Sequence, residues 1–281
     1  MRLNRPTGSL LLLWPTLAAL WMSADALPDL QLIAIFTIGT FLMRSAGCII
    51  NDYADRHVDG GVERTKDRPL VTGEISTRQA MVLFAILVVA SAFLLVFLNL
   101  ATQLLAIGGL AVALVYPFMK RWTYLPQVVL GGAFSWGILM AWTATGVDVA
   151  TVAPKGLLMF LASLLWIVAY DTLYAMVDRD DDIKVGIKST AILFGSLDRV
   201  MIGILQVCSL WMFMLLGKQL EYTSFYNLGL VIAGALFAYQ HWIIRYRERD
   251  AYFKAFSNNA WVGLALFLGT VAEISLRPFL A

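Results

Sequence analysis

Long apolar runs separated by short polar connections dominate the chain. They predict nine helices, at about 10–24, 30–50, 80–98, 102–118, 126–144, 156–176, 200–217, 225–243 and 257–276. Most span 17–21 residues, and the first about 15. At ~1.5 Å per residue, 20 residues cross a hydrocarbon layer about 30 Å thick. The runs lack the alternation of barrel strands, so in lipid they can satisfy their backbone polar groups only as helices. The expected fold is all-α, one integral membrane bundle over residues 1–281. The first run follows Arg2 and Arg5, and Ser23-Ala24-Asp25-Ala26 resembles a signal-peptidase site. The many apolar segments beyond it favour a retained first span.

Composition agrees. The 281 residues are 60% hydrophobic and 14% charged, against about 25% charged in soluble domains. The net charge is only +2, but its distribution is lopsided. Counting Arg2 and Arg5, the connections after the second, fourth, sixth and eighth helices hold 17 of the 21 Lys and Arg residues. Lys155, Lys218 and Arg277 lie on the other side, and Arg44 lies within the second helix. This bias puts the N-terminus and the basic connections in the cytoplasm and the C-terminus outside. No nucleic-acid partner is expected. Cys48 and Cys208 sit in apolar runs without a CxxC or disulfide pattern, which favours packing roles. His57 and His241 lack metal-ligand spacing. Trp14, Trp21, Trp122, Trp142, Trp211 and Trp242 fall near helix ends, as interfacial tryptophans do. Gly108-Gly109 and Gly131-Gly132 suit close helix packing.

Chemistry concentrates at the cytoplasmic ends of two helices. Asn51, Asp52, Asp55 and Asp59 close the second helix; Asp52, Asp55 and Asp59 would share one face if that helix continued. Asp178 and Asp182 close the sixth, again four apart, with Asp171 deeper in the apolar segment. A lone Asp pair is usually just solvated. Two spaced clusters at corresponding helix ends, each beside basic residues, point instead to a hard divalent cation and a phosphate-bearing ligand. Arg64, Arg68, Lys120 and Arg121 are the cations at hand. Two clusters suit metal ions flanking a diphosphate, which they make a good leaving group. Their placement four helices apart suggests a repeated four-helix unit, with both motifs facing a central cavity. Arg44 is costly if it faces lipid, so it either snorkels or meets a substrate. Lys120 and Arg121 could also serve as topology signals alone, and the run Arg245 to Arg249 reads as a topology signal more readily than as an anionic-lipid site.

These strings resemble those of the UbiA superfamily of membrane prenyltransferases. Asn51-Asp52-x-x-Asp55-x-x-x-Asp59 is similar to its NDxxDxxxD motif, Asp178-x-x-x-Asp182 to its DxxxD motif and Tyr116-x-x-x-Lys120 to its YxxxK element. The likeness runs over essentially the whole chain. Tyr116-Pro-Phe-Met-Lys-Arg121 and Tyr170-Asp-Thr-Leu-Tyr-Ala-Met176 resemble the bacterial branch that prenylates 4-hydroxybenzoate, in ubiquinone biosynthesis. The resemblance implies a Mg²⁺-dependent enzyme of the bacterial inner membrane. It would move a polyprenyl group from polyprenyl diphosphate to the ring carbon ortho to the hydroxyl. It further implies that Asn51, Asp52, Asp55, Asp59, Asp178 and Asp182 hold metal, with Asp55 and Asp178 essential to catalysis. Arg64, Arg68, Tyr116 and Lys120 would bind substrate, Arg44 or Arg121 would pair with the benzoate carboxylate, and Asp171 is a candidate acceptor for the displaced proton.

Rival readings are weaker. Other quinone precursors, homogentisate or haem remain as acceptors. A CDP-alcohol phosphotransferase needs DGxxAR, and Asp59-Gly60-Gly61 is not followed by Ala-Arg. A cation-coupled transporter would place its acids near mid-membrane, whereas these sit at helix ends among basic residues.

Overall fold

A computed structural model describes residues 6–147 and 149–277, and of residues 149–153 the backbone. Arg2 and Arg5, counted in the charge bias, lie outside the described residues. The described chain is helical: α1 (Thr7–Ala24), α2 (Leu30–Asp55), α3 (Pro69–Thr72), α4 (Thr77–Leu95), α5 (Leu100–Trp122), α6 (Pro126–Ala144), α7 (Val149–Val185), α8 (Thr190–Phe194), α9 (Asp198–Gln219), α10 (Ser224–Ile243) and α11 (Arg249–Leu276). Nine helical spans among the described residues are long and apolar enough to cross a membrane, matching the nine expected from the hydropathy pattern.

α1 is the post around which the others stand. It packs on α2, α6, α7 and α11 and buries Leu11, Leu13, Leu17, Ala18, Ala19 and Leu20. This corrects the reading of the tryptophans. Trp21 and Trp142 are buried, and Trp14 packs against the core beside Phe267, because α1 and α6 turn them inward. Trp122, Trp211 and Trp242 are exposed on the outer surface. Cys48 is buried, but Cys208 lies on the exposed face of α9 rather than in packing.

The remaining helices follow in series: α2 contacts α4 and α5, α5 contacts α6, α6 contacts α7, α7 contacts α9, and α10 links α9 to α11. Glycines set two of these approaches. A Cβ on Gly131 would lie 3.2 Å from the Leu164 carbonyl oxygen, and one on Gly109 2.6 Å from the Trp136 ring. Gly132 has open space around it and is not needed for packing.

Side-chain bonds tie the connections together at each end of the bundle. At one end, Lys188 donates its backbone N–H to the Lys120 carbonyl, Arg249 binds Asp181, and Arg179 and Arg247 both grip the fully buried Asp198. The basic run at 245–249 is thus largely spent on ion pairs that join α7, α9 and α11. At the other end, Asn99 donates to the Thr143 carbonyl and Arg277 pairs with Asp25. There Glu273 accepts backbone N–H groups of Thr223, Phe225 and Tyr226, satisfying donors that the start of α10 would otherwise leave open.

Candidate active site

Both acidic motifs stand at the first of these ends, on helices longer than the hydropathy pattern predicts. α2 runs on to Asp55, so Asn51, Asp52 and Asp55 are helical. Asp59 is not on that face, because α2 stops at Asp55 and Asp59 opens a 3₁₀ turn, Asp59–Gly61. Successive tight turns carry the chain from Asp55 to Arg68, with Thr65 donating its hydroxyl to the Asp59 carbonyl at 2.9 Å. Gly61 lets this loop lie against the end of α7, since a Cβ there would come within 2.9 Å of Val185. α7, in contrast, is unbroken through Asp178 and Asp182 to Val185.

The loop returns the cations to the carboxylates. Arg68 bridges Asp52 at 3.0 Å and Asp59 at 2.6 Å, rejoining what the helix end separated. Arg64 crosses to the second motif, donating Nε–H to both oxygens of Asp178 at 3.0 Å and an Nη2–H to one of them. It also donates to the Tyr174 hydroxyl and lies 4.4 Å from that ring's centroid. From α5, Lys120 donates to Asp55. Asp182 lies within Coulombic range of Asp178, Asp55, Arg64 and Lys120, so the two motifs share one electrostatic site. Burial pushes the Asp59 carboxyl above its ordinary pKa, against the pull of Arg68. Burial also works against the charge of Arg64, but Tyr174, Asp178 and Asp59 outweigh it and raise its pKa.

Below this roof lies a cavity of about 560 Å³. Asn51, Arg44, Arg64, Arg68, Tyr116 and Asp171 line its polar part, with Tyr170, Tyr174 and Phe256. Ile35 and Phe36 of α2 and Leu94, Leu95 and Leu98 line the apolar part. Ile35 is 16 residues from Asn51 along α2, about 24 Å at ~1.5 Å per residue. The apolar walls therefore run most of the depth of a membrane. Arg44 stands over the Phe134 ring at 5.7 Å, and the Tyr170 hydroxyl is buried with no hydrogen-bond partner among the described residues.

The structure brings together most of the residues that the motifs single out. Asp52, Asp55, Asp59, Asp178 and Asp182 gather around Arg64, Arg68 and Lys120, while Arg44, Tyr116 and Asp171 face the cavity below. Arg121 stands apart. It donates to the Ala54 carbonyl at the end of α2 and lies 5.7 Å from the Phe118 ring, off the cavity wall. Phe134 and Gly8 line the cavity without any signal in the motifs. Tyr170 and Tyr174 had one: with Asp178 and Asp182 they repeat every four residues, a stripe winding slowly along one side of a helix.

Among the described residues, no three His, Cys, Asp or Glu side chains converge in a geometry that holds a single ion, as each basic residue draws its own carboxylate toward it. The donor set still fits a hard cation. It is all oxygen, and Asp55 keeps one buried carboxylate oxygen with no hydrogen-bond partner among the described residues.

The family model described as the UbiA prenyltransferase family matches residues 12–269. A 4-hydroxybenzoate octaprenyltransferase of Pseudomonas syringae pv. tomato is 55% identical over 276 residues, 98% of this chain and 92% of that protein. The fold is similar to the apo structure of a UbiA homolog from Aeropyrum pernix K1, with a TM-score of 0.86 at 21% identity, covering 97% of this chain and 99% of that one. It is also similar to a UbiA homolog from Archaeoglobus fulgidus bound to GPP and Mg²⁺, with a TM-score of 0.70 at 20% identity over 98% of each chain.

Proposed function

The chain belongs to the UbiA prenyltransferase family, and from that premise we propose that it transfers a polyprenyl group from polyprenyl diphosphate to 4-hydroxybenzoate, ortho to the hydroxyl. One observation carries this reading on the structural side. A single cavity lined by Arg44, Arg64 and Arg68, two of them ion-paired to the carboxylate clusters, runs down a deep apolar wall, which is what a diphosphate with a long hydrocarbon tail requires. The named activity of the Pseudomonas syringae relative supplies the acceptor.

In the mechanism, Arg64, Arg68 and Lys120 donate to the phosphate oxygens. This exchange leaves Asp52, Asp55, Asp59 and Asp178, with Asn51 and Asp182, as oxygen ligands for Mg²⁺. Mg²⁺, when bound, neutralises the charge that builds on the diphosphate as the prenyl C–O bond breaks. The faces of Tyr174 and Phe256, with ring centroids 4.7 Å apart, stabilise the allylic cation and shield it from water. Arg44 holds the carboxylate of the aromatic acid, whose ring lies against Phe134. The ring carbon beside the hydroxyl forms the new C–C bond and then loses its proton, which Asp171 accepts. Arg121 fastens α5 to the end of α2 and so positions the first motif. The basic residues gathered at the motif end support a site on the cytoplasmic side of a bacterial inner membrane.

The test uses membranes containing the full chain, with Mg²⁺, a polyprenyl diphosphate and labelled 4-hydroxybenzoate. A prenylated acid is the expected product. Its absence, with the protein shown to be folded, overturns the assignment.

A further inference from the structure

Arg44 differs from the other cavity-lining cations in what holds it. Arg64 and Arg68 are tied to carboxylates, whereas Arg44 makes no ion pair among the described residues. Asp171, the acid within its Coulombic range, forms no hydrogen bond with it. Its neighbours are the Phe134 face and the backbone of Gly8 in the first turn of α1. A Cβ built on Gly8 would lie 2.6 Å from Nη2, 2.8 Å from Nε and 3.1 Å from Cζ of Arg44. Real Cβ atoms do not approach that closely, so any side chain at position 8 drives the guanidinium away. Charge does not account for the contact, since the start of a helix carries positive partial charge and repels a cation. Space does: the missing side chain is the seat in which the guanidinium rests. Both Gly8 and Arg44 line the cavity.

We propose that Gly8 is a positioning residue for the aromatic substrate, because its lack of a side chain seats Arg44 where that guanidinium meets the substrate carboxylate. This rests on the reading of Arg44 given above. α1 thereby contributes to acceptor binding from a helix that carries none of the acidic motifs. Gly8 touches no reacting atom in this scheme. Its effect passes through Arg44, and the displaced atoms are the far end of a flexible side chain, so the helix itself tolerates the change.

Gly8→Ala, Arg44→Gln and the double variant separate the possibilities in steady-state assays of the membrane-embedded protein. The Arg44 substitution is Gln rather than Ala so that the cavity stays filled. Charge-assisted hydrogen bonds contribute about 1.5–3 kcal/mol, so losing the seated geometry raises KM for 4-hydroxybenzoate on the order of tenfold. KM for the polyprenyl diphosphate and the melting temperature in detergent stay near those of the parent. In the Arg44→Gln background, Gly8→Ala adds nothing further, because the group it positions is gone. Equal changes in both KM values, full additivity in the double variant, or an unchanged aromatic-acid KM in Gly8→Ala each overturn the inference. If Arg44→Gln raises that KM while Gly8→Ala does not, only the seat is wrong. If Arg44→Gln leaves it unchanged, the carboxylate role of Arg44 falls and the seat falls with it. Should Gly8→Ala not fold, Gly8→Ser is read by the same criteria, and an unchanged KM there also overturns the proposal.

Discussion

Arg64, Arg68 and Lys120 at the roof of the cavity and Arg44 beneath them carry the same charge in opposite circumstances. The first three are each bound to a motif aspartate. Arg44 has an aromatic face and a glycine beside it and no bonded carboxylate among the described residues. A cation paired in advance is stable without ligand, and it releases its partner only for a ligand bringing both negative charge and a replacement cation. Mg²⁺ with diphosphate meets that condition. A cation left unpaired in a largely apolar cavity is costly and selects a ligand with a single negative group. On the proposed reading, the contrast divides the site into a diphosphate end that works by exchange and an aromatic end that works by complementation.

The largest break in that division comes from the carboxylates. Asp55→Ala or Asp178→Ala should lower kcat/KM on the order of a thousandfold, the upper range for losing one transition-state contact, with membrane insertion unchanged. Turnover assays alongside fractionation of the variants check this, and near-parental turnover in either removes the metal assignment. Next comes Arg64→Ala, which strips Asp178 of its partner. It should raise KM for the diphosphate by roughly 10–100-fold, consistent with a charge-assisted hydrogen bond, and leave KM for the aromatic acid alone. A selective effect on the aromatic acid instead would erase the boundary between the two ends. Arg44→Gln should show the mirror image, about tenfold on the aromatic acid alone, measured by varying each substrate at saturation of the other. Arg121→Ala should have the smallest effect. Its bond to the Ala54 carbonyl acts only through the end of α2, so both KM values should shift together by roughly two- to threefold, a fraction of what one charge-assisted hydrogen bond contributes. A shift confined to the aromatic acid would return Arg121 to the carboxylate role that its place in the Tyr116 to Arg121 string suggested.

Much of this was legible in the chain because membrane insertion obeys local rules. A run of about 20 apolar residues becomes a helix wherever it stands, so the spans are legible in the sequence and their ends less so. The errors fall where polar residues continue a helix past the apolar run. α2 reaches Asp55 and α7 reaches Val185 because side-chain partners from elsewhere accept their polar ends. The placement of Asp59 failed for a related reason. Spacing alone puts it on a helical face, but the chain turns at Arg56, and Arg68, nine positions beyond Asp59, rejoins it to Asp52. The tryptophans show the same limit, since nothing near Trp14 or Trp21 marks α1 as the central post rather than a peripheral span.

The sequence by itself determined the helices, the apolar class of the chain, the acidic motifs and the supply of cations around them, since each follows from composition and spacing over a few turns. Only the tertiary structure decided which cation serves which carboxylate, that Arg121 turns away from the cavity, and that Gly8 lies under Arg44. Apart from Arg68 with Asp52 and Asp59, those pairings join residues dozens to more than a hundred positions apart. They depend on how α1, α2, α5 and α7 pack, which no short-range pattern encodes.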